Sequence, residues 1–169
     1  CGRTWISMIL AKLFQNKLNL PEKDILNLEK ITFGQKEIPS ISIFHEDYPH
    51  FKKPKELEKN KSDLLNKKII FLVRDPRDII VSWYFHLSRR KNKYRGTISD
   101  FLKECEEKFD TIIEYYNIWS KYINHQNFLL IKYEDLHNNA NVEVKKILDF
   151  LNIKNINEDE IKMAVRSCS

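Results

Sequence analysis

Residues 67–86 read KKIIFLVRDPRDIIVSWYFH, and the change of pattern inside that run decides the fold. Ile69, Ile70, Phe71, Leu72 and Val73 form a continuous apolar stretch, the pattern of a strand buried on both faces in a parallel sheet. At Asp75 the pattern turns helical. Asp75 is a suitable N-cap and Pro76 fits the first helical position, while Asp78 puts negative charge in the first turn, where the helix dipole favours it. Ile79, Ile80, Trp83, Tyr84 and Leu87 then fall on one face. The junction is therefore the carboxyl end of a strand running into a helix, where ligands sit in open α/β sheets.

The same alternation recurs to either side. NFLLIKYED (127–135) repeats the buried-strand pattern, and SISIFH (40–45), with serine and apolar residues alternating, predicts a short strand. Between SISIFH and the first run, KKPKELEKNKSDLLN (52–66) predicts a polar helical crossover that opens at Pro54. Near the N-terminus Trp5, Ile6, Ile9, Leu10, Leu13 and Phe14 recur at helical spacing, whereas residues 20–35 carry no decisive pattern. Strands alternating with helices predict an α/β fold, a parallel β-sheet flanked by helices and joined by right-handed crossovers.

The chain has 169 residues, 42% of them hydrophobic, and neither a long linker nor an internal repeat divides it, so one domain is expected. Its charge of +5 comes from 29 basic and 24 acidic residues mixed along the sequence. The local cluster SRRKNKYR (88–95) reads as a solvated loop, so no nucleic-acid partner is expected. Cys1, Cys105 and Cys168 are odd in number and lack C-x-x-C spacing. That argues against a disulfide framework and a zinc site, and fits a reducing, cytoplasmic location. No apolar run approaches a membrane span.

The opening residues, CGRTW, put Gly2 just ahead of a helix. A missing Cβ lets backbone N–H groups approach an anion, and the helix N-terminus adds partial positive charge, so this is the pattern of a phosphate-binding turn. Such a turn hangs from a buried strand and none precedes it, so the chain is expected to be a fragment that starts inside its own loop. At the other junction Arg74 has two readings: a forked donor for an anion, or a partner of Asp75 or Asp78. Ser82 either reaches the same anion or bonds back to a helix carbonyl.

Together CGRTW, FLVRDPRDIIVSWYFH (71–86) and KYEDLHNNANVEVKKILDFLNI (132–153) resemble the cytosolic-type sulfotransferases, which use 3′-phosphoadenosine 5′-phosphosulfate (PAPS) as sulfuryl donor. The resemblance covers nearly the whole chain and implies the family's P-loop-like fold. It implies a 5′-phosphosulfate loop at Cys1, Gly2, Arg3 and Thr4, with Trp5 stacked on adenine, although Trp5 also reads as a core residue. Arg3 and Cys1 stand where the family commonly has threonine and serine. Arg74 and Ser82 match the binders of the donor's 3′-phosphate. Tyr133 is either an adenine neighbour or a strand-end aromatic, and Cys168 falls where the family approaches a further adenine contact. The family's lysine would precede Cys1, and its glycine-rich basic loop would follow Ser169. A fragment without them is expected to have negligible activity.

The resemblance further implies a histidine base at the end of the strand before the Arg74 strand. His45 holds that position, with His50 as the alternative and His86 less favoured, since a neutral imidazole suits proton abstraction at physiological pH. HEDYPH (45–50) also invites a metal reading. Pro49 makes that run a turn without the i, i+4 geometry of a helical zinc motif, so no metal is expected, and Glu46 and Asp47 are expected at the surface or in the acceptor site, where they would orient His45. The implied reaction moves a sulfuryl group to a hydroxyl or amine on a small-molecule, lipid or carbohydrate acceptor. The competing readings are a P-loop phosphotransferase, disfavoured because the loop reads G-R-T rather than G-K-[ST], and a non-catalytic adenine-nucleotide module.

Overall fold

The structure is a computed structural model that describes residues 2–20 and 27–168; Cys1 and Ser169 lie outside them. In chain order its elements are α1 (Arg3–Lys17), α2 (Leu28–Thr32), β1 (Ile69–Val73), α3 (Pro76–Phe85), α4 (Ile98–Glu104), α5 (Glu106–Ser120), β2 (Phe128–Lys132), α6 (Tyr133–Asn138), α7 (Ala140–Phe150) and α8 (Glu158–Ser167). β1 and β2 pair as a two-stranded sheet. The Ile69 N–H donates to the Asn127 carbonyl at 2.8 Å, so the strands start level and run parallel, with α3 to α5 in the crossover. The α/β class expected from the sequence is the class observed.

The described residues gather into two compact units. One holds the chain up to Phe44, Ile70–Leu72 and everything from Leu129 on; the other holds His45–Ile69 and Val73–Phe128. In the first, Ile9, Leu10, Leu13 and Phe14 of α1 are buried in one cluster with Ile131 of β2 and Val144, Ile147 and Leu148 of α7, with Ile70 and Leu72 of β1 packed on the same core. The helical spacing read at the N-terminus marks only part of the buried surface of α1, which also takes in Ser7, Ala11 and Gln15. In the second unit Ile80 of α3, Phe101 of α4 and Cys105 form a smaller core, flanked by Trp83, Tyr84 and Leu87. The stripe read after Asp75 is the one buried there.

Two expected elements are absent. Residues 41–45 form no strand. The Ile41 N–H donates instead to the Thr32 hydroxyl at 2.9 Å, so a side chain takes a backbone donor that a neighbouring strand would need, and the Ser42 hydroxyl donates to Glu29 at 3.1 Å. Residues 52–66 form no α-helix either; Pro54–Glu56 and Ser62–Asn66 are separate 3-10 turns. Pro54 does open its turn, yet the buried residues Leu57, Lys61 and Leu65 are not carried on one continuous helix. No helix among the described residues is long and apolar enough to cross a membrane.

Candidate functional site

The first group of site residues lies at the start of α1. Gly2 is the N-cap with φ 75°, left-handed backbone that only glycine adopts freely, and no side chain caps the helix. A Cβ at Gly2 would stand 2.4 Å from Cδ2 of Tyr133, so glycine is also required by the ring packed against it. Arg3, Thr4 and Trp5 occupy the first turn, where backbone N–H groups have no intrahelical partner. The side chain of Thr4 is exposed. The Trp5 ring is half-buried and meets His137 edge-on at 6.4 Å, and His137 lies 6.1 Å from Tyr133. An amide-rich helix start flanked by an aromatic row offers donors for an anion and flat surfaces for a base.

Tyr133 thus reaches the turn from the far side of the sequence, directly after β2. Trp5 serves the core as well, since it packs against the buried cluster of α1. Cys168 closes α8 and also packs on that cluster. Burial raises its thiol pKa, partly offset by the charge of Lys12, a residue about 12 Å along α1 from Thr4. Cys1 lies outside the described residues.

The second group belongs to the other unit. Arg74 follows β1, and the Tyr116 hydroxyl grips its backbone from both sides, accepting from the Arg74 N–H at 3.1 Å and donating to the Arg74 carbonyl at 3.0 Å. The guanidinium lies 3.4 Å from Asp78, while Asp75 caps α3 by accepting the Arg77 N–H at 2.9 Å. Asp78 and Ser82, four residues apart on α3, share one side of the helix, and Arg74 reaches Asp78 from just before the helix start. Ser7, Ser88 and Ser167 each donate to the carbonyl four residues earlier; among the described residues Ser82 does not, and it is exposed. The Arg74–Asp78 pair is long and partly open, so an incoming anion competes for the guanidinium at little cost.

His45 does not stand at a strand end as expected, because residues 40–45 form no strand; it is exposed, with its ring edge-on to His50 at 5.5 Å. His50 packs 4.1 Å from Phe51, and burial, then the charge of Lys108, lowers its pKa below the usual imidazole value. His86 caps the end of α3 and is exposed. Of the readings of Glu46 and Asp47, the surface one fails, since their side chains are 18% and 5% exposed. Both turn inward onto Lys61, whose side chain is 1% exposed, at 2.7 and 3.0 Å. That commitment leaves HEDYPH without free carboxylates for a metal, and no group of three or more His, Cys, Asp or Glu among the described residues is arranged to hold one. Lys61 was not legible as a site residue, and neither was Tyr116, which reads as one more aromatic in a helical stripe.

The glycine turn feeding α1, and the parallel pair β1 and β2 with its helices, define an α/β protein. The family model of the sulfotransferase domain matches residues 1–169, and the chain belongs to that family. It is 29% identical to the amine sulfotransferase of rabbit (Oryctolagus cuniculus) over 99% of this chain and 58% of the relative, and 33% identical to mouse (Mus musculus) sulfotransferase 2A6 over 60% of this chain and 37% of that one. The crystal structure of mouse sulfotransferase SULT7A1 complexed with PAP shares the fold with a TM-score of 0.66 and 23% identity, covering 99% of this chain and 60% of that one. The chain therefore spans less than two thirds of these relatives.

Proposed function

We propose that the chain is the donor-binding and base-bearing part of a single sulfotransferase domain that moves a sulfuryl group from PAPS to a hydroxyl or amine. The observation that carries this reading is the turn at Gly2, left-handed, uncapped and faced by Tyr133, in a chain matched by the sulfotransferase family along its whole length. The amides of Arg3, Thr4 and Trp5 bind the 5′-phosphosulfate, with the Thr4 hydroxyl beside them, and Trp5 and Tyr133 bracket the adenine. Arg74 and Ser82 bind the 3′-phosphate, the group that separates this donor from simpler adenine nucleotides. Cys168 lines the adenine side.

The acceptor oxygen or nitrogen attacks sulfur in line with the bond to the leaving phosphate. His45 takes the acceptor's proton as that bond breaks, and the amides at the start of α1 hold the charge that develops on the phosphate. No metal takes part. The acceptor is a small molecule, lipid or carbohydrate, and the name of the rabbit relative supports amines beside hydroxyls. A cytoplasmic setting fits the unpaired cysteines.

The test is turnover of PAPS by the full-length protein against a panel of phenols, amines and sugars. His45→Ala should lower it by roughly 10²–10⁴ while donor affinity stays within a few-fold, and His50→Ala should do much less. A crippling His50→Ala beside an active His45→Ala would move the base one step along the turn.

A further inference from the structure

The turn that carries His45 is strained and is held by a buried cation. Asp47 and Tyr48, the second and third residues after His45, both have left-handed backbone, with φ of 57° and 50°. Side-chain-bearing residues keep that conformation only where the surroundings over-determine it, and such strain gathers at functional sites. Here the surroundings converge on Lys61. Its ammonium bonds Glu46 at 2.7 Å and Asp47 at 3.0 Å, and its backbone N–H donates to the Tyr122 hydroxyl at 2.9 Å.

Each carboxylate is tied a second time. Glu46 accepts the Trp119 indole N–H at 3.3 Å, and Asp47 accepts the Glu58 N–H at 2.7 Å and pairs with Lys52. The rings of Tyr115 and Trp119 face the ammonium at 6.0 Å each.

Burying a cation with two carboxylates is a poor route to stability, because the desolvation cost consumes most of the attraction and an apolar side chain would serve as well. What such a cluster supplies is a single backbone arrangement. We propose that Lys61 is a positioning residue, which locks the turn at 45–50 through Glu46 and Asp47 and so fixes the His45 and His50 rings in one arrangement. Its value for catalysis rests on the reading of His45 as the base; the positioning itself does not.

The two are tested apart by NMR of the full-length protein carrying ¹³C-labelled histidine. The wild type should give one sharp ring signal each for His45 and His50. In Lys61→Met both should split or broaden, while His125 and His137 keep their shifts and affinity for adenosine 3′,5′-bisphosphate stays within about twofold. Lys61→Arg should restore single signals, since it keeps the charge among the same carboxylates. Should Lys61→Met fail to fold, Glu46→Gln, which keeps the shape and removes one charge, should broaden His45 and spare His125.

Unchanged His45 and His50 signals in Lys61→Met, or in Glu46→Gln where that is the folded variant, overturn the proposal. So does an equal disturbance of all histidines, the mark of a purely structural role. Full turnover in His45→Ala alongside broadened rings would instead fault the base assignment and leave the positioning intact.

Discussion

The two helices that follow the candidate phosphate contacts begin in opposite ways. α3 starts closed: the Asp75 carboxylate accepts the Arg77 N–H and pairs with the Arg77 side chain, so the helix supplies its own anion. α1 starts open: Gly2 has no side chain to offer and none caps the helix. Helix N-termini attract anions through the same amides and the same dipole, so the capped start is already satisfied and the uncapped one is available. An anion at the α3 junction must therefore be held by a side chain, Arg74, whereas at α1 the backbone suffices.

The largest effect should come from filling the open start. In Gly2→Ala the methyl group meets the Tyr133 ring, and left-handed strain of about 1–2 kcal/mol adds to that contact, so affinity for adenosine 3′,5′-bisphosphate should fall about a hundredfold by calorimetry. A loss under threefold would show that the amides of this turn do not bind the nucleotide. Next comes Arg74→Ala. A charge-assisted contact is worth about 1.5–3 kcal/mol, so preference for the 3′-phosphorylated nucleotide over adenosine 5′-monophosphate should shrink roughly ten- to a hundredfold. Equal losses for both nucleotides would make Arg74 a structural partner of Asp78. Ser82→Ala should act in the same direction by only about three- to tenfold, the size of one neutral hydrogen bond.

Opening the closed start should leave nucleotide affinity alone and cost stability. Asp75→Ala should lower Tm by about 2–4 °C at pH 7. The Arg77 side chain, then its backbone N–H, hold the Asp75 carboxyl down to about 2. A depressed carboxyl contributes stability that is complete above its unfolded pKa of about 3.9 and is lost as pH falls through the folded value. The gap between wild type and variant should accordingly close between about pH 4 and pH 2. A gap that persisted at pH 2 would mean that Asp75 acts through something other than its charge.

The closed start was fully legible, because a capping aspartate, a proline and a following apolar stripe are local signals carried by adjacent residues. So were α1 and both strands of the sheet. The misreadings share a cause, which is that tertiary partners decided the outcome. SISIFH has the alternation of a strand, but strand structure needs a neighbour, and the Thr32 hydroxyl took the Ile41 N–H.

The segment at 52–66 hid more. Leu57, Lys61 and Leu65 are all buried, a four-residue recurrence that would have been noticed had the middle residue been apolar. A lysine there reads as solvated, and only the carboxylates of Glu46 and Asp47, fifteen and fourteen residues away, make its burial tolerable. Tyr116 was invisible for a similar reason, since its hydroxyl acts on a residue 42 positions away.

The most direct test of the donor-site reading is the melting temperature of the full-length protein with different nucleotides. A ligand present at a hundred times its Kd stabilises the native state by about 2.7 kcal/mol, so adenosine 3′,5′-bisphosphate should raise Tm by several degrees, with ATP and oligonucleotides giving far smaller shifts at the same concentration. An equal or larger shift with ATP would contradict the assignment of this site to a 3′-phosphorylated donor and return the chain to general adenine-nucleotide binding.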